Sequence, residues 1–123
     1  MQRKRLEGVQ GGLTRSQAEA LLNDIATGLT AAGTTQADAL ALAKVTNVFG
    51  TVAAGSGARL ESNLEIGDET RVVNLGANAL LVYPPVGGSI QTGAANAGFS
   101  VGAGKSATFK KVSATLFVSD LSA

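Results

Sequence analysis

The chain has no histidine and no cysteine. Thiol chemistry, disulfides, the usual zinc, haem and iron–sulfur ligand sets and histidine-based general-base arrangements are therefore closed to it. Tryptophan is also missing, and the aromatics number five: Phe49, Tyr83, Phe99, Phe109 and Phe117. No apolar run approaches the ~20 residues that a membrane helix needs. The basic start, Met1-Gln-Arg-Lys-Arg-Leu-Glu-Gly8, is not followed by the apolar stretch of a signal peptide, so export is not expected. Lys and Arg total 10 against 9 Asp and Glu, which leaves no bulk charge to draw nucleic acid or a membrane surface. On this inventory no enzyme and no cofactor are expected.

What remains is small. Alanine and glycine make up about 30% of the 123 residues, so much of the apolar composition is short side chains. A domain of this size must bury most of its larger apolar groups. A thin core that leans on backbone hydrogen bonding and on neighbouring subunits follows.

Charge is unevenly placed. Residues 1–15 carry Arg3, Lys4, Arg5 and Arg15 against Glu7; residues 16–69 carry two cations against seven acids; residues 70–123 are basic again. Residues 1–13 read as a basic, glycine-rich arm. Arg3, Lys4 and Arg5 offer few phosphate contacts and have no aromatic nearby to stack a base, so docking on an acidic protein surface is favoured over nucleic acid, with an inert solubilising tail as the alternative.

Thr14-Arg-Ser-Gln17 has the form of a capping box and predicts a helix from Arg15 to about Ala32 with Gly33 as its stop, within a 14–33 segment. Its apolar positions Ala18, Leu22, Ile25, Leu29 and Ala32 are spaced 4-3-4-3. That is a two-position heptad seam, with leucines at a and Ile25 at d, a choice that favours three or four strands. A single amphipathic helix lying on its own domain is the alternative. Ala18, Leu22, Ile25 and Leu29 are the expected oligomer interface.

From residue 34 to 123 the texture is β. Thr34–Lys44 is ambiguous between a short helix and a strand and is taken as strand, because β-branched Val45–Val52 follows. Arg71–Leu75 and Ala79–Tyr83 flank Gly76-Ala-Asn78 like the arms of a hairpin, and Pro84-Pro85 ends the second of them. Gly87–Ile90, Gly98–Val101, Ser106–Lys110 and Val112–Val118 complete about seven strands at sandwich-like spacing. The expected fold is mainly β: an antiparallel β-sandwich, jelly-roll-like, preceded by the helix and the arm. No internal repeat of useful period is apparent.

Gly102-Ala-Gly-Lys-Ser106 lacks the spacing and the following helix of a phosphate loop and reads as a turn with glycines at positive φ. Glu61, Glu65, Asp68 and Glu69 read as a solvated loop; only a fragment of a calcium-loop pattern accompanies them, and no metal site is expected.

Ala31–Leu40, Gly50–Leu60 and above all Gly67-Asp-Glu-Thr-Arg-Val-Val-Asn-Leu-Gly-Ala-Asn-Ala-Leu-Leu-Val-Tyr-Pro-Pro85 resemble a β-rich module of small tailed-bacteriophage virion proteins. The likeness extends through Gly87–Ile90, Ala95-Asn-Ala97 and Lys105–Val118, covering residues 31–118. Glu61 stands where that module has proline, and the final strand lacks its tryptophan. The resemblance implies a capsid-decorating (cement or head-fibre-type) protein on the capsid exterior, assembled in the host cytoplasm. Its partner would be the major capsid protein, and the heptad seam makes a homotrimer the expected state. The resemblance implies no catalytic residues. A receptor- or glycan-binding module of a tail fibre or spike is the alternative.

Overall fold

The computed structural model of the chain describes residues 24–122. Among them are ten strands and no helix: β1 (Ile25–Thr30), β2 (Leu40–Ala41), β3 (Thr46–Thr51), β4 (Gly57–Arg59), β5 (Glu69–Asn74), β6 (Leu80–Tyr83), β7 (Ser89–Ile90), β8 (Phe99–Val101), β9 (Ser106–Lys111) and β10 (Leu116–Leu121). Six form one sheet in the order β1-β3-β5-β9-β10-β7, and four form a second in the order β2-β4-β6-β8.

The first six strands alternate between the two sheets, and within each sheet they pair in parallel. This is a short β-solenoid of three coils, each coil giving one strand to each sheet. Ile25 lies beside Thr46 and Thr46 beside Arg71, so successive coils advance by 21 and then 25 residues. β9 turns back antiparallel on β5, and β8 does the same on β6, closing one end of the stack. β10 pairs antiparallel with β9, and β7 lies parallel to β10.

Side chains that point between the sheets make the core. The larger sheet sends in Phe49, Val72, Ala107, Phe109 and Phe117, and the smaller one Ala58, Leu80, Val82 and Val101, all almost wholly buried. Alanine at two of these positions lets the sheets approach closely. Phe99 meets Phe109 edge to face, with ring centroids 5.6 Å apart, the arrangement that aligns a positive ring edge with a negative face.

Corners between the sheets are held by asparagine. A chain leaving a ladder exposes amides and carbonyls that must find partners, and a carboxamide offers both a donor and an acceptor. Asn74, with 0% exposure, donates from Nδ2 to the carbonyls of Asn78 (2.8 Å) and Val101 (2.9 Å). Its Oδ1 accepts the Gly76 amide at 2.9 Å. Asn78 donates to the Val52 carbonyl of the coil before it at 2.9 Å, and buried Asn47 donates to the Lys44 carbonyl at 2.9 Å.

The antiparallel sandwich with a leading helix is thus corrected in three respects. First, the part of the expected helix within the described residues is a strand. Ile25–Thr30 holds a β-branched isoleucine, two threonines and a glycine, all weak helix formers, and pairs in parallel with β3. Gly28 adopts φ +65° where the register slips, forming a bulge. Ile25 and Leu29 therefore share no seam: Ile25 is half exposed on the outer face at 50%, while Leu29 packs against the core from the inner face. Ala18 and Leu22 lie outside the described residues, as do the arm and Arg3, Lys4 and Arg5.

Second, Gly76–Asn78 is no hairpin turn. β5 and β6 belong to different sheets, and these residues turn the corner between them. A Cβ on Gly76 would sit 2.8 Å from Val52 Cγ2, so the corner requires glycine for close approach to the coil below. Third, between Thr34 and Lys44 only Leu40–Ala41 is strand; the rest forms a loop. Pro84 does follow the end of β6, and Gly104 does take φ +76° in the Gly102–Ser106 turn.

Replacing Asn74 with Ala removes partners from one buried amide and two carbonyls. It should lower the free energy of unfolding in urea by at least about 2 kcal/mol, since each orphaned buried group costs about 1–3 kcal/mol. Phe49→Ala should cost about 3–5 kcal/mol through the cavity it leaves. A loss below about 0.5 kcal/mol for Asn74→Ala would show that water replaces the carboxamide.

Candidate functional site

Three surfaces of the solenoid have enough structure to bind something. The first is a groove of about 690 Å³ where the segments after β4 and β6 meet the β9–β10 connection. Leu42, Leu60 and Phe117 form its buried floor, and Arg59, Glu61 and Lys111 line it. Both cations already have partners. Arg59 Nη1 donates to the carbonyls of Gln36 (2.9 Å) and Ala37 (3.2 Å), and Lys111 Nζ donates to the Leu64 carbonyl at 2.7 Å. They brace loops, and each retains further N–H groups beyond these bonds. Val86, 83% exposed, stands on the rim.

The second surface is the outer face of the smaller sheet. The Tyr83 ring lies across two glycines there: a Cβ on Gly57 would come within 2.8 Å of Tyr83 Cε2, and one on Gly98 within 3.1 Å of Cε1. Gln36 Nε2 donates to the Pro84 carbonyl (2.7 Å) and to Asn96 Oδ1 (3.1 Å), which also accepts the Gly87 amide at 2.6 Å. The 33–39 loop is thereby fastened to the segment after β6. Asp38 closes the loop on itself, its Oδ1 accepting from the Thr35 amide and hydroxyl (both 2.8 Å) and the Thr34 amide (3.1 Å). Hydrogen bonds from the Thr35 backbone and then its side chain favour the carboxylate and hold its pKa below the ordinary 3.8.

The third is the outer face of the larger sheet, where strand register aligns side chains in rows. Ile25, Thr46, Arg71, Thr108 and Asp120 form one row across five strands. Val48, Val73 and Ser106 form the next, and Glu69, Lys110 and Val118 a third. The centre consists of short or β-branched side chains, with charges of both signs around it.

Of the expected site residues, only Ile25 and Leu29 fall within the described part, on opposite faces of β1. The acidic set is not gathered into a ligand cluster: among the described residues there is no group of three or more Asp or Glu able to hold a metal ion. Asp68 instead accepts the Glu65 amide at 2.9 Å, capping its own turn, and the Gly67 amide donates to the Lys111 carbonyl at 2.7 Å. The Gly67–Pro85 motif builds the third coil, and its Asn74, Gly76, Asn78 and Tyr83 all occupy backbone-bonding or close-packing positions. Sequence reasoning quoted these residues and Asn96 only as carriers of a resemblance or a hairpin turn, without these roles, and did not single out Gln36 or the Arg71–Asp120 row. Alternation in Thr70–Asn74 was the available signal for the row.

No family model, no curated protein and no solved structure matches the chain.

Two outcomes follow from the second surface. Because the folded pKa of Asp38 is depressed, its contribution is complete above 3.8 and is lost as pH falls through the lower folded value. Protection of the Thr34 and Thr35 amides, taken as exchange relative to the intrinsic rate at each pH, should fall only in that acid range, and Asp38→Asn should remove the dependence. Gly57→Ala should press its Cβ against the Leu81 carbonyl (2.6 Å) and the Tyr83 ring, displacing the lone tyrosine and destabilising the fold by about 2 kcal/mol through overpacking. Tyrosine fluorescence and urea unfolding would read the two effects; an unchanged Tyr83 signal would refute the close packing.

Proposed function

We propose that this chain is a structural, non-catalytic protein of a tailed-bacteriophage virion, decorating the capsid exterior and bound to the major capsid protein. The observation that carries the reading is the use the third coil makes of the Gly67–Pro85 motif, which resembles that of virion modules. Asn74 and Asn78 bond the backbone, Gly76 permits close approach and Tyr83 covers two glycines. A motif spent on stability, on a fold that presents flat strand faces, suits a part that works by shape and adhesion.

Modest contacts are sufficient for such a part. Buried apolar area contributes about 25 cal/mol per Å², and many copies on one shell convert weak contacts into durable attachment. The basic Arg3, Lys4 and Arg5 supply the electrostatic component, directed at acidic capsid surface. The trimer expectation loses Ile25 and Leu29 as a shared helical seam, since they lie on opposite faces of a strand.

Quantitative mass spectrometry of purified particles tests the reading: the protein should be present in many copies per capsid. Tail-fibre stoichiometry would favour the receptor-binding alternative, and absence from particles would refute both. Deleting residues 1–12 should lower capsid occupancy while leaving the melting temperature of the solenoid unchanged. Full occupancy after deletion would remove the basic segment from the attachment.

A further inference from the structure

We propose that two copies of this chain associate face to face through the outer surface of the six-stranded sheet, about a two-fold axis running along β9. The inference goes beyond the virion reading and does not depend on it.

The rows on this face carry the argument. Thr108 on β9 has Arg71 beside it on β5 and Asp120 beside it on β10. The two charges are therefore two strand spacings apart, roughly 9–10 Å, and Arg71 Nη2 donates to Ser106 Oγ at 3.4 Å. A two-fold axis along β9, lying between two facing sheets, exchanges the β5 and β10 sides. It sets Arg71 of one copy over Asp120 of the other, and Asp120 over Arg71. Each dimer then contains that pair twice, which is the self-complementarity an isologous contact requires.

The surrounding surface is shaped for contact with another sheet. Thr46, Val48, Val73 and Ser106 are short and already half-buried, and Val118 remains 38% exposed. Facing sheets pack about 10 Å apart with such side chains between them. Lys110 is the feature that opposes closure. It lies on the axis facing its own copy, with Glu69 beside it in register to offset the like charge.

Size sets the strength. About that axis β5, β9 and β10 face β10, β9 and β5 of the other copy, the two-residue β7 lies over β3, and β1 has no strand opposite, so strands about 4.8 Å apart with about six residues of 3.3 Å rise present roughly 300–350 Å². That is below the ~800 Å² per partner of a standard interface, so the dimer should be weak and reversible, at micromolar concentrations or higher.

Sedimentation equilibrium of the full chain over a wide concentration range tests this, with circular dichroism confirming that each variant folds. The wild type should fit a monomer–dimer equilibrium. Arg71→Asp and Asp120→Arg should each weaken it at least tenfold, and the Arg71→Asp/Asp120→Arg double variant should return to within about threefold of wild type. Lys110→Ala should strengthen it, because it removes the like-charge contact on the axis. A wild type that stays monomeric at millimolar concentration would overturn the proposal, as would a trimer mass, a double variant no better than the singles, or weakening by Lys110→Ala.

Discussion

Where the chain leaves one sheet for the other, its amides and carbonyls lose their ladder partners inside a thin protein with little else to offer them. Asn74 supplies three of those partners from a position with no exposure to water, and Asn78 reaches back to the coil before it. The rest of the molecule follows from that arrangement. Satisfied corners let short strands stack in register, and register brings Phe49, Val72 and Phe109 into one core. Backbone satisfaction, more than aromatic bulk, sets the geometry of a chain in which alanine and glycine occupy so many positions.

Strand content was legible in the sequence; strand partnership was not. Val45–Val52, Arg71–Leu75, Ala79–Tyr83 and Ser106–Lys110 all contain strands, because β-branched alternation between glycine-marked breaks reports a local preference. Topology is a non-local property. Gly76-Ala-Asn78 has the turn chemistry of a hairpin and of a solenoid corner alike, and only the packing of Gly76 on Val52 decides between them. The repeat was hidden for a related reason. Coils that advance by 21 and 25 residues have no single period, and Phe49 stacks on Asn74 in one column, where a repeat search expects like on like. Ile25 and Leu29 looked like one seam because their spacing suits a helix, but the bulge at Gly28 sends them to opposite faces.

The candidate surfaces were less legible still. Arg71 and Asp120 are 49 positions apart in the chain, and only the β5–β9–β10 register aligns them. Gln36 and Asn96 meet because the 33–39 loop folds over the smaller sheet. In the groove, Arg59 and Lys111 hold carbonyls of neighbouring loops, so the charges that might have marked a ligand site act as internal braces. These observations fit a protein whose side chains mostly secure its own shape and whose broadest ordered surface is a sheet face.

The bulge at Gly28 has one more effect. β1 stands at the end of the larger sheet among the described residues, and a straight parallel strand in that position is a template on which further strands can add without limit. Two slips of register within six residues spoil that template. Addition of a further strand alongside β1 is thereby disfavoured.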